Sequence, residues 1–301
     1  MIVDKHAVGM VGLGLIGTSL ARRLISASYT VYGYDIDVER CARLADLGGQ
    51  AAASLRDVGR NCQTVILAVF NTDQVESAVE GQDGLAPLEL AAGQVVICTS
   101  TCDPDRIAML AERVARSGVN FLEVPLSGNS DQIARGNGVG LVGGDPQTME
   151  AVATILDAIC PRRYYLGPVG AGGRAKLAVN LVGGLNRAVM AEGLAFAESM
   201  GLDLSSFLEV LKGSAAYSRT MDNRGDKMVR NDFTPHAKIS QSLKDFQLMR
   251  NIADRAGQPL PLATVYIDLI EACLAHGEAD LDNSAIIKEI RRRRLKRNHE
   301  S

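Results

Sequence analysis

The chain has 301 residues, a length that suits two domains better than one. With 47% hydrophobic and 22% charged residues, no tryptophan and no long low-complexity tract, its composition is that of a folded globular protein and excludes a disordered one. Thirty-two basic against 35 acidic residues leave a net charge of −3, which supplies no global field for nucleic acid or an anionic membrane.

The longest apolar stretches, 65–70 and 95–98, fall far short of the roughly 20 residues a membrane-spanning helix needs. Asp4 and Lys5 come almost at once and lead to a glycine-rich turn, so no secretory leader is read and the cytoplasm is the expected location. Cys41, Cys62, Cys98, Cys102, Cys160 and Cys273 form no C-x-x-C pair and read as reduced structural thiols. His6, His236, His276 and His299 match no zinc spacing, and no metal site is expected.

In chain order, short β-branched runs alternate with helical stretches over the first half. Strands are predicted at 7–11, 30–34, 64–69, 94–98, 121–124 and 138–142, with a helix at 18–25; this alternation is that of a mostly parallel sheet covered by helices. After about Leu166 apolar residues recur at helical spacing over 171–200, 204–211, 239–256, 262–275 and 284–295. Gly167, Pro168, Gly170, Gly172 and Gly173 punctuate the change. The predicted architecture is α/β: an N-terminal Rossmann-type doubly wound sheet over 1–166, then an all-helical C-terminal domain over 167–301. Gly183 and Gly184 interrupt the long helix at about 1 kcal/mol each relative to alanine, so a close approach to the backbone is expected there.

The turn GLGLIG (12–17) follows the first strand and opens the first helix. Gly12 makes the tight turn, Gly14 lets a pyrophosphate approach the backbone, and Gly17 lets helix pack on strand; the amides of Leu13, Leu15 and Ile16 join this dinucleotide-binding turn. Asp35 ends the second strand 21 positions beyond Gly14, where its carboxylate accepts from the ribose hydroxyls and repels a 2′-phosphate. NAD is therefore the expected cofactor, with NADP as the second choice. Val69 and Asn71 leave the third strand, and Ser100 and Thr101 the fourth, at the same carboxyl edge.

In GPVGAGGRAKLAVN (167–180), Lys176 and Asn180 stand four apart and emerge on one helix face. On spacing alone such a lysine reads as a solvated charge. The segment resembles the G-x-x-G-x-G-x-x-x-K-x-x-x-N signature of the β-hydroxyacid dehydrogenase family, which includes 3-hydroxyisobutyrate dehydrogenase and tartronate semialdehyde reductase. In the same order, GLGLIG (12–17) is similar to the family's dinucleotide turn and EVPLSGN (123–129) to its D-x-P-x-S-G-G substrate motif. Lys244-Asp245 resembles its K-D cofactor motif, and DLDNSAI (280–286) its D-x-D-x-S-A-x-I segment; the likeness spans about 7–290.

The resemblance implies hydride transfer between a nicotinamide and a small hydroxy acid. Lys176 is then the general acid/base and Asn180 a hydrogen-bond partner of the substrate. Ser127 and Gly128 anchor its carboxylate, while Lys244 and Thr101 lie near the nicotinamide. Tyr217, with Asn223 and Arg224, corresponds to a segment that can line the substrate cleft, although helix packing explains Tyr217 equally well. Arg174 reads as a solvent or cofactor contact. A homodimer or homotetramer built on the helical half is also implied.

Three positions depart from the pattern: Glu123 replaces aspartate, Asn129 replaces glycine, and Val179 replaces a second asparagine. Asn129 adds an amide with two donors and an acceptor beside the carboxylate anchor, which suits a substrate more polar than 3-hydroxyisobutyrate unless the side chain serves its own loop.

Two other readings compete. GLGLIGTSLA (12–21) also resembles the start of prephenate and arogenate dehydrogenases, but their histidine has no counterpart, since His6 precedes the strand. The basic run RRRRLKR (291–297) suits a non-catalytic dinucleotide-binding protein that grips nucleic acid, or, more simply, a helix end complemented by cations.

Overall fold

A computed structural model describes residues 6–85 and 92–294. Asp4, Lys5 and the Leu295, Lys296 and Arg297 part of the basic run lie outside the described residues. The chain divides into two compact units, Met1–Leu177 and Ala178–Ser301.

The first unit is built on a sheet of β1 (Ala7–Val11), β2 (Thr30–Tyr34), β3 (Gln50–Ala51), β4 (Thr64–Leu67), β5 (Val95–Cys98), β6 (Asn120–Glu123), β7 (Leu126–Ser127), β8 (Val139–Gly144) and β9 (Arg162–Gly167). The strands run β3-β2-β1-β4-β5-β6 in parallel, the doubly wound order. β6 and β7 then pair antiparallel with β8, and β9 pairs parallel with β8.

Between the strands lie α1 (Leu15–Ser26), α2 (Val38–Asp46), α3 (Leu55–Asn61), α4 (Thr72–Glu80), α5 (Pro104–Ala115), α6 (Ser130–Ala134), α7 (Pro146–Ala151) and α8 (Ala153–Ile159). The period-2 alternation of the strands divides the core in two. Val8, Met10, Ile66 and Ile97 face Leu20 and Leu24 of α1 and Ile155 and Ile159 of α8. Val11, Val65, Leu67 and Val96 face Val75 and Val79 of α4 and Ile107 and Leu110 of α5. Helices thus cover both faces, so β1, β4 and β5 are buried runs rather than polar–apolar alternations.

The predicted strands are present, β1 and β2 with the expected ends and the other four with ends shifted by one or two residues. β3 and β7 are two-residue strands with no run to reveal them, and β9, whose residues are mostly exposed, also escaped the pattern.

The helix α9 (Ala171–Ser199) starts at the predicted change of pattern. The second unit continues with α10 (Leu204–Gly213), α11 (Asp226–Arg230), α12 (Ile239–Arg255), α13 (Pro261–Ala275) and α14 (Ile286–Arg292). A Cβ at Gly184 would sit 2.5 Å from the Phe246 ring, which itself stacks on Tyr266 at 4.1 Å between centroids; this is the close approach expected of a mid-helix glycine. Gly183 has open space instead, so the expectation held for one glycine of the pair.

The predicted helix 284–295 is broken. Asp282 accepts from the Ser284 amide and hydroxyl, which turns Asn283–Ala285 into a 3₁₀ segment before α14 begins. Arg291 pairs with Glu198, Arg292 with Glu278 and Glu289, and Arg293 with Glu289. These three arginines of the basic run are tied to carboxylates of their own unit.

Among the described residues no helix is long and apolar enough to cross a membrane. The six cysteines are reduced thiols, five of them buried.

Candidate active site

The carboxyl edge of the first unit's parallel strands assembles the predicted nucleotide residues. Gly12 donates its N–H to Tyr34 O at 2.9 Å with φ +90, and a Cβ there would press on Ala68 O. Gly17 packs on the Gly12 carbonyl, a contact any side chain would block. Gly14 is the N-cap of α1 and brings no side-chain acceptor, and no acidic residue stands in the first turn. The helix start therefore presents backbone donors with no carboxylate of its own beside them, and it fits a pyrophosphate.

Asp35 is 8% exposed. Its Oδ2 accepts from Leu13 N–H at 2.7 Å and from Arg40 Nη1 at 3.3 Å, and its Oδ1 from Asp37 N–H at 2.9 Å. Leu13 thus serves the turn through Asp35, with its side chain in the core. Sequence reasoning missed Arg40, whose guanidinium also lies near Gly14.

Val69 and Ser100 are joined, the Ser100 hydroxyl donating to Val69 O at 2.7 Å; the half-buried Thr101 follows directly. Asn71 caps α4, its Oδ1 accepting from Gln74 N–H at 2.9 Å, so local structure accounts for that oxygen.

The 123–129 segment crosses from β6 through β7 into α6. Glu123 is buried, and its Oε1 accepts from Gly170 N–H at 2.5 Å. Burial pushes its carboxyl above the ordinary range, while the backbone N–H groups of Gly173, Gly170 and Gly172 pull it back. Lys176 is 8% exposed, and its Nζ donates to Leu126 O at 2.6 Å, one residue before Ser127. Gly128 has φ +148.

Asn129 is the N-cap of α6: its Oδ1 accepts from Gln132 N–H at 2.8 Å while Gln132 Oε1 accepts from the Asn129 N–H at 3.0 Å. This reciprocal capping box commits the acceptor that a polar substrate would use and explains the departure from glycine locally. Arg174 makes a solvent-exposed ion pair with Asp105 at 2.6 Å.

In the second unit one buried carboxylate gathers two predicted residues. Asn180 Nδ2 donates to Asp245 Oδ2 at 2.9 Å, and Lys244 Nζ lies 2.9 Å from Asp245 Oδ1. Tyr217 is half exposed, and its hydroxyl donates to Asp222 at 2.6 Å, a bond that raises the phenol above its ordinary value. The structure joins Asn180 and Lys244 through Asp245, and ties the Tyr217 hydroxyl to Asp222.

Arg224, the neighbouring residue of the same segment, packs within its own unit. It is buried in a π-helical turn (Met221–Gly225), donates to Asn283 Oδ1 at 3.2 Å, and lies 3.4 Å from Asp282. The DLDNSAI stretch thereby helps to hold its own unit together. Burial works against the Asp282 anion, but the Arg224 charge and the His236 and Ser284 amides hold its carboxyl below the ordinary range.

Two family models match the chain. Residues 7–167 match the NAD binding domain of 6-phosphogluconate dehydrogenase, and residues 170–290 match the NAD-binding domain of NADP-dependent 3-hydroxyisobutyrate dehydrogenase. The chain is 30% identical over 282 residues to an L-threonate dehydrogenase of Cupriavidus necator, covering 93% of this chain and 95% of the relative. It is 28% identical to a 2-hydroxy-3-oxopropionate reductase of Escherichia coli, over 94% of this chain and 96% of that one. Among solved structures, a 3-hydroxyisobutyrate dehydrogenase from Salmonella typhimurium superposes with a TM-score of 0.85 at 29% identity, covering 94% of this chain and 99% of that one. With a nucleotide turn that fits a dinucleotide and end-to-end likeness in both halves, the chain belongs to the β-hydroxyacid dehydrogenase family of nicotinamide-dependent oxidoreductases.

Proposed function

We propose that this dehydrogenase acts on a short polyhydroxy acid, uses NAD in preference to NADP, and moves the hydroxyl proton through Lys176. The observation that carries the reading is the buried Lys176 amine, tethered 2.6 Å from Leu126 O directly before Ser127 and Gly128. The nicotinamide, when bound, accepts or donates the hydride at the hydroxyl carbon. Lys176 takes the hydroxyl proton during oxidation and returns it during reduction. Ser127 and Gly128 hold the substrate carboxylate. Asn180, oriented by Asp245, is assigned to hydrogen-bond the substrate, and Thr101 and Lys244 are assigned to contact the cofactor, as the family resemblance implies. Gly12, Gly14, Leu15, Ile16 and Gly17 cradle the pyrophosphate, with Leu13 and Asp35 fixing the ribose corner.

Relatives named L-threonate dehydrogenase and 2-hydroxy-3-oxopropionate reductase favour a hydroxylated acid over a methyl-bearing one. NAD preference rests on the Asp35 carboxylate at the ribose position. Exposed apolar side chains on α9, Val182, Val189 and Phe196, support a homodimer or homotetramer, and the reduced cysteines support a cytoplasmic location.

The test is a panel of short hydroxy acids with NAD and with NADP, followed by absorbance of the reduced cofactor. L-Threonate or a similar polyhydroxy acid should give a higher kcat/KM than 3-hydroxyisobutyrate. Preference for the methyl compound would refute the substrate class, and no turnover with any member of the panel would refute the activity.

A further inference from the structure

We infer that Glu123 is the positioning residue for Lys176: its carboxylate clamps the start of α9 so that the lysine amine is held at Leu126 O beside the substrate anchor. The inference rests on the assignment of Lys176 above.

The start of α9 has no cap of its own. Pro168, Val169 and Gly170 precede it, and none carries the side-chain acceptor that normally satisfies the first amides of a helix. The acceptor comes instead from β6, 47 positions away: Gly170 N–H donates to Glu123 Oε1 at 2.5 Å, and the Gly172 and Gly173 amides help to hold down the carboxyl that burial pushes up.

The surrounding glycines make room for this arrangement. A Cβ at Gly173 would lie 3.0 Å from Glu123 Oε2, one at Gly143 would collide with Oε1, and one at Gly172 would collide with Leu141 O on β8. The glycine cluster of this motif thus lets a helix end settle on a sheet and a buried carboxylate.

A second grip lies three residues further along the strand side and six further along the helix side. Glu123 leads to Leu126 and Gly170 leads to Lys176, where Nζ meets Leu126 O at 2.6 Å. Six residues of helix rise about 9 Å, so the two grips bracket less than two turns. Lys176 is 8% exposed, and its packed stem leaves little slack to absorb a displaced helix start. Misplacement of a reacting group by about 1 Å costs on the order of 100-fold in rate.

The experiment uses the full-length enzyme, with Glu123→Gln, which keeps the shape but turns an NH₂ toward backbone donors, and Glu123→Asp, which keeps the charge one methylene short. Single-turnover hydride transfer is measured at saturating cofactor and acid, alongside NAD binding by quenching or enhancement of fluorescence. The rate constant of the Gln variant should fall roughly 10- to 100-fold with NAD affinity unchanged, and Asp should recover part of it. A purely structural role would lower the amplitude, by reducing the number of folded sites, and leave the rate constant at the wild-type value; that result overturns the inference. If the Gln variant does not fold, the Asp variant decides in the same way, since a wild-type rate constant there removes the need for the clamp. Lys176→Ala is run beside them: if it is inactive while both Glu123 variants turn over normally, only the clamp is lost, whereas retained turnover in Lys176→Ala defeats the Lys176 assignment as well.

Discussion

Arg40 Nη1 lies 3.3 Å from Asp35 Oδ2, the oxygen that also accepts from Leu13 N–H at 2.7 Å. The carboxylate expected to exclude a 2′-phosphate is therefore partly balanced by a cation poised at the same corner. Asp35→Ala removes the repulsion and releases Arg40 toward the phosphate, so kcat/KM with NADP should rise and that with NAD should fall. Adding Arg40→Ala to this variant should abolish the gain with NADP. The measurement is the NAD to NADP ratio of kcat/KM for the three proteins. A wild-type preference for NADP contradicts the reading of Asp35.

Lys176→Ala should lower turnover at least about 100-fold while cofactor affinity stays near the wild-type value. Lys176→Arg should be almost as damaging, because a guanidinium does not give up its proton to become a base. Steady-state kinetics with a cofactor titration separates the two effects, and turnover retained in either variant removes Lys176 from proton transfer.

Asn129 caps α6, so Asn129→Ala should cost about 1 kcal/mol of stability, and Asn129→Gly only a few tenths. Neither should change the ratio of kcat/KM between polyhydroxy and methyl-bearing acids of equal length. Denaturant melts and that ratio are the readouts. A ratio that shifts toward the methyl acid in Asn129→Gly would return the residue to a substrate role.

Glu278 accepts from Arg292 at 2.9 and 3.0 Å and pairs with Lys288 at 2.6 Å. Burial alone would push its carboxyl up, but the hydrogen bonds and charges of Arg292 and Lys288 prevail and hold it at about 2. A folded-state pKa below the unfolded value of about 4.3 means that the ion pairs contribute fully above that pH. Their contribution is lost as pH falls toward 2. Wild-type Tm should therefore drop across this window, and Glu278→Gln should start lower at pH 7 and drop less. Parallel pH–Tm curves for the two proteins would show that Glu278 is not responsible.

The sequence by itself determined the elements whose signal is local. The strand–GLGLIG–helix unit, the alternation of buried strands with helices, the α9 pattern and the four-residue spacing of Lys176 and Asn180 all follow from side-chain period and glycine placement within a short window. Family motifs added roles that spacing could not assign. The tertiary structure alone decided which groups meet across long separations: Glu123 with Gly170 at 47 residues, Leu126 with Lys176 at 50, and Asn180 with Asp245 at 65. It also turned Asn129 into a cap, placed Arg40 at Asp35, and paired Arg224 with Asp282. Backbone preferences and hydrophobic period are properties of neighbouring residues. A carboxylate clamp or a buried ion pair exists only once packing has removed water from both partners and brought them within hydrogen-bond reach.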